Sequence, residues 1–108
     1  MKTLLQTAPK LLQQISHENI HLLTAASNYT YLELKGGDKV LSGYSLGFYE
    51  NLLEDNFLRI GRSHLVNKAF ITNVVRKDKV HFVKLKDKRE LAIPRRKAAL
   101  IISRFSKH

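Results

Sequence analysis

Arginines, lysines and small polar side chains gather in three short stretches of this chain: Ser27-Asn28-Tyr29-Thr30, the segment from Arg59 to Asn67, and Arg95-Arg96-Lys97. Each stretch lies between apolar flanks, so a folded scaffold would hold it still. The chemistry open to such groups is hydrogen bonding and charge pairing with a polyanion. An arginine fork matches the N7 and O6 acceptors of guanine in a major groove, and Asn, Ser and Thr reach base edges or phosphate oxygens. The Arg95–Lys97 cluster follows Pro94 at an expected helix start, where free backbone N–H groups favour a phosphate. Three cations there oppose the helix dipole, and a bound phosphate removes that conflict. Singly, each has a plainer reading. Arg59 and Arg62 could pair with Glu54 or Asp55, Asn28 could serve only a turn, Thr30 only a strand, and the 95–97 run only a solvated helix edge. Their occurrence together points to an interface.

Other chemistries find little support. Without cysteine there is no disulfide, no thiolate nucleophile and no cysteine-held zinc or iron–sulfur centre. The histidines, His17, His21, His64, His81 and His108, are read as holding no metal, and no cofactor is expected. Ser63 and His64 are chain neighbours, which on a strand point to opposite faces and suit a nucleophile–base pair poorly. No catalytic residues are therefore assigned, and no enzyme is expected.

The charge supports the interface reading. Lys and Arg number 19 against 9 Asp and Glu, for a net +10 and a pI near 10.1. Residues 1–55 hold four basic side chains and six acidic ones, net −2. Residues 56–108 hold 15 basic side chains and only three acidic ones (Asp78, Asp87, Glu90), net +12. A field of that sign attracts nucleic acid before an anionic membrane. Charge alone permits duplex DNA, RNA or a single strand. An RNA or single-strand binder would need exposed aromatics for stacking, and Tyr29, Tyr31, Tyr44 and Phe82 are the candidates. Gln6, Lys10, Gln13 and Gln14 interrupt any signal-like apolar run, and no run is long enough to span a bilayer. A cytoplasmic location with no membrane insertion is the expectation.

The elements that must position these residues can be read from periodicity. A chain of 108 residues makes one domain. Leu4, Leu5, Ala8, Leu11, Leu12 and Ile15 form one stripe of an amphipathic N-terminal helix, kinked at or begun by Pro9. That segment, 1–17, reads as a helical linker able to dock on an upstream domain or a second copy, and 18–108 as the binding domain. Strands are expected at Ile20–Thr24, Tyr29–Leu34 and Lys39–Ser42, the last two joined by the turn Gly36-Gly37-Asp38. Ser45 caps a helix running through Asp55, and Phe57–Ile60 is a short apolar segment before the polar Gly61–His64 loop. Phe70–Val75 and Val80–Leu85 form a hairpin, Arg89–Ile93 another strand, and Arg95–Phe105 a final helix. The class is α+β, mainly β.

Within this frame, Ser27-Asn28-Tyr29-Thr30-Tyr31-Leu32-Glu33-Leu34 resembles the first hairpin of the LytTR DNA-binding family. Phe57-Leu58-Arg59-Ile60-Gly61-Arg62-Ser63-His64-Leu65-Val66-Asn67 resembles its most distinctive stretch, Phe-x-Arg-x-His-Arg-Ser-x-Leu-Val-Asn, and Ile71, Val83–Asp87 and Leu91–Arg95 follow its ending. The resemblance runs from about residue 20 to 104, in order. It implies an elongated fold of antiparallel sheets with short flanking helices, serving as the output domain of bacterial response regulators. It also implies that loops enter successive major grooves of sites arranged as direct repeats, two copies on one face of the DNA. By position, Thr30, Arg62 and Arg95 would read bases, and Asn28, Tyr29, Ser63, Asn67, Arg96 and Lys97 would hold phosphates. No receiver domain is recognised in the chain. It departs from the family pattern where Gly61 stands for His, Lys88 for Gly and Pro94 for Ser. The glycine is expected to loosen its loop.

Overall fold

The computed structural model of the chain describes residues 5–6, 15–53 and 55–106. Nine strands occupy Leu5–Gln6 (β1), Ile20–Ala26 (β2), Tyr29–Leu34 (β3), Lys39–Ser42 (β4), Phe57–Arg59 (β5), His64–Asn67 (β6), Ile71–Lys77 (β7), Val80–Leu85 (β8) and Glu90–Ala92 (β9). The α-helices are Leu46–Leu52 (α1) and Ala98–Ser106 (α2), and 3-10 turns cover His17–Asn19, Lys68–Phe70 and Arg95–Lys97. Six strands join in the order β1-β4-β3-β2-β6-β5, and β7-β8-β9 form a separate sheet. The molecule measures 40 × 25 × 24 Å, elongated as expected for a fold of stacked antiparallel sheets.

β2 and β6 lie inside the larger sheet and bury both faces, so alternate residues feed two cores. Leu23 and Leu65 meet Leu46, Tyr49 and Leu53 of the α1 region on one side. Leu22 and Val66 meet Ile71, Val83 and Leu85 of the smaller sheet, together with Ile101 of α2, on the other. Strict alternation would turn Ile20 away from Leu23, yet both face the α1 core. The pairing shifts from Ile20↔Leu34 to Leu22↔Glu33, a bulge centred on His21 that restores the face. A matching shift between Ile71↔Leu85 and Asn73↔Lys84 bends β7.

Helix α1 begins where Ser45 Oγ accepts the Phe48 N–H at 3.3 Å, an N-cap. Buried Tyr49 donates its hydroxyl hydrogen to Ser42 Oγ at 2.5 Å, fastening the helix to the end of β4. The two sheets are also tied by Arg89, whose guanidinium donates to both Glu33 carboxylate oxygens of β3 (3.2 and 2.9 Å) and to Asp87 (2.8 Å). The side chain is 43% exposed, so this fork contributes about 1 kcal/mol rather than the value of a buried pair.

Two expectations change. Most of the amphipathic helix expected over 3–15 lies outside the described residues. Leu5–Gln6, inside it, instead form β1, parallel to β4 at Leu5↔Leu41. The final helix is α-helical only from Ala98. Before it, Lys97 N–H donates to the Pro94 carbonyl at 2.9 Å, an i→i+3 bond that winds Arg95–Lys97 into the tighter 3-10 turn. Among the described residues no helix is long and apolar enough to cross a membrane.

Candidate nucleic-acid interface

The three polar stretches converge on one end of the molecule through backbone contacts. Ser27-Asn28 turns β2 into β3, with Ala26 opposite Tyr29 and Ser27 at φ 58°. Beside it, Ala25 N–H donates to the Ser63 carbonyl at 2.9 Å, joining the first loop to the second. The second loop is closed by Ile60 N–H donating to the His64 carbonyl at 3.0 Å. The third leaves β9 where Ile93 N–H donates to the His81 carbonyl at 2.8 Å. It then passes Gly61 of the second loop at Pro94. His81 adjoins the β7–β8 hairpin, so the exposed tip Lys77-Asp78-Lys79 lies at this same end.

Arg59 braces the second loop from within. Its Nε donates to the Gly61 carbonyl (2.5 Å), one Nη to the Arg62 carbonyl (3.0 Å), and the other Nη to Glu50 of α1 (2.5 Å). Its acidic partner is thus Glu50, on the helix, and the guanidinium fixes the backbone on both sides of Arg62. This bracing residue was legible in the sequence only as a surface ion pair.

The nine candidate residues separate by burial. Asn28, Tyr29, Arg62, Ser63, Arg95, Arg96 and Lys97 are exposed. Thr30 is fully buried between Ala25 of β2 and Ser42 of β4, and its Oγ1 donates to the Tyr44 carbonyl at 2.8 Å. Asn67 is also buried. Its Nδ2 donates to the Ile20 carbonyl at 2.9 Å while Oδ1 accepts the Ala69 N–H at 2.9 Å. In this structure both side chains are engaged in hydrogen bonds within the protein. Both hold the scaffold beneath the loops. Among the described residues, Arg62, Arg95, Arg96 and Lys97 enter no ion pair. Arg104, a cation outside the three polar stretches, joins Lys97 along a 290 Å³ cleft between α1 and α2.

His17-Glu18-Asn19-Ile20-His21 has the spacing of a His-Glu-x-x-His zinc motif, against the expectation that the histidines hold no metal. That motif works on a helix, where both imidazoles share a face. Here the segment is a 3-10 turn running into β2, and His21 stacks on Phe70 with ring centroids 4.0 Å apart. Among the described residues no group of His, Asp and Glu is arranged to hold a metal.

Two histidines near the sheets carry a pH consequence. Burial holds His64 below its ordinary 6.5, and Arg89 lowers it further while Glu33 opposes. Burial likewise lowers His21, aided by Lys35 and Lys86 and opposed by Asp87 and Glu33. The unfolded chain therefore takes up protons near pH 6.5 that the folded chain refuses. Stability is fully present above that pH and falls as the pH drops through it. Thermal unfolding should show the midpoint falling between pH 7.5 and 5.5, with a flatter profile in the His21→Gln/His64→Gln double variant. Equal slopes for both proteins would remove these histidines as the cause.

Comparison with known proteins follows the same line. The sequence model of the LytTr DNA-binding domain matches residues 11–106. Among solved structures, the chain is similar to the LytTr DNA-binding domain of a Bacillus cereus protein described as a methyl-accepting/DNA response regulator. The TM-score is 0.72 at 21% identity, covering 83% of this chain and 84% of that one, a likeness of fold. No curated protein matches the chain by sequence.

Proposed function

This chain belongs to the LytTr DNA-binding domain family, and from that membership we propose that it reads a specific double-stranded DNA site in transcription regulation. The observation that carries the reading is the convergence of three loops on one end of the molecule. There, four exposed cations (Arg62, Arg95, Arg96 and Lys97) have no acidic partner among the described residues. In this reading Arg62 and Arg95 enter successive major grooves and fork onto base edges. Asn28, Tyr29, Ser63, Arg96 and Lys97 hold phosphates on either side and set the register. Thr30 and Asn67 act from beneath by fixing the backbone of the loops. The basic hairpin tip at Lys77 and Lys79 adds to the phosphate field. Two copies on direct repeats about one helical turn apart would lie on one face of the DNA.

The test is selection of duplex DNA from a random pool, then anisotropy titration of the selected duplex, a scrambled duplex and a folded RNA at two salt concentrations. The expected result is a preference for the selected duplex of about a thousandfold or more at physiological salt. Equal affinities that weaken together with salt would leave only the phosphate term and overturn the specific reading. Tighter binding of the RNA would move the function to that polymer.

A further inference from the structure

The second and third loops meet at one contact, and its chemistry is unusual. Gly61 does not have a positive φ, so its backbone suits any L-residue and the glycine is not there for a left-handed turn. What a side chain would meet there is a tight contact: a Cβ at position 61 would come within 3.2 Å of Pro94 Cγ, close enough that the ring must give by a few tenths of an ångström, and within an ordinary 3.5 Å of Cδ. Both partners rise directly from the same core, because buried Ile60 and Ile93, one residue before each, pack in the cluster shared with Ile101. Position 61 is further held by Arg59, which takes its carbonyl. On the other side, the Pro94 carbonyl accepts from Lys97 N–H and so begins the turn that carries Arg95, Arg96 and Lys97. A push on the proline ring that puckering does not absorb is passed to that turn, while the core limits how far the two chains can part.

We propose that the Gly61–Pro94 contact is a spacer that sets the separation of the Arg62 loop from the Arg95 turn, and with it the discrimination between DNA sites. Gly61, a residue expected to loosen its loop, is here also a point of close approach to a ring of fixed φ. This proposal rests on the DNA-reading function above, and its test includes a readout that does not depend on DNA.

The experiment compares wild type, Gly61→Ala, Pro94→Ala and the double variant. Gly61→Ala is expected to lower the preference for the selected over the scrambled duplex by about tenfold. Affinity for the scrambled duplex should stay within about twofold, since the phosphate contacts remain. Removing the ring in the double variant should recover most of the lost preference. In the free protein, amide exchange at 61–63 and 95–97 should rise in Gly61→Ala and return toward wild type in the double variant. Unchanged preference in Gly61→Ala, or a loss that the double variant does not recover, overturns the proposal. If the wild type selects no duplex, the function above fails, and the spacer is judged on amide exchange alone: additive changes in the two single variants overturn it, and coupled changes support it.

Discussion

Arg62→Ala is expected to weaken binding to the selected duplex by about 1–3 kcal/mol and to relax the preference at one base position. The expectation follows from geometry. Arg62 is exposed, has no acidic partner among the described residues, and projects from a loop whose backbone Arg59 holds on both sides. Little backbone entropy is then lost in presenting its fork, so the side chain's own contacts, net of its rotamer freedom, are what the substitution removes. Lys97→Ala is the matched control. As a phosphate contact it should weaken selected and scrambled duplexes alike and reduce the slope of affinity against salt by about one. Anisotropy titrations over a salt series separate the two patterns. Equal losses on both duplexes for Arg62→Ala would assign that arginine to phosphate rather than to a base.

The second large effect concerns stability. Asn67→Ala removes the cap on the Lys68–Phe70 turn and leaves the Ile20 carbonyl, on a fully buried residue, without its donor. Loss of a cap costs about 1 kcal/mol, and an orphaned buried carbonyl about 1–3 kcal/mol more. A loss of about 2–4 kcal/mol should lower the unfolding midpoint by roughly 10 °C or more in a domain of this size. Denaturant titration gives the free energy, and anisotropy at a temperature where the variant is fully folded gives the affinity. Unchanged affinity there supports the internal role that burial implies. A selective loss of affinity with normal stability would restore Asn67 to the phosphate contacts its sequence position suggested.

Much of this architecture was legible in the chain because local rules and tertiary packing agree. The alternation in Tyr29–Leu34, the Gly36-Gly37 turn and the charged tip at Lys77–Lys79 specify antiparallel pairs by themselves. Ser45 marked its helix start for the same local reason. The candidate interface was legible only in outline. Residue type could nominate Thr30 and Asn67, yet their exposure depends on neighbours distant in sequence. Thr30 is covered because it shares the face of β3 that carries Leu32 into the α1 core, with its hydroxyl on the Tyr44 carbonyl. Asn67 is committed because the Ile20 carbonyl, 47 residues away, needs a donor. Arg59 could be read as a surface charge, and only the packing of α1 beside β5 supplied Glu50 as its partner.

The sequence by itself thus determined the α+β class, the antiparallel hairpins, the basic second half and the three loops that carry polar chemistry. These follow from side-chain period, turn chemistry and charge, which act over a few residues or by simple summation. Only the tertiary structure decided which face Ile20 occupies, how the Arg95–Lys97 turn is wound, which candidates point outward, and that Gly61 is held against Pro94. The bulge at His21 and the shared core beneath Ile60 and Ile93 arise from pairings between residues far apart in the chain. Such contacts exist only once the sheets have closed on one another, so no local pattern could specify them.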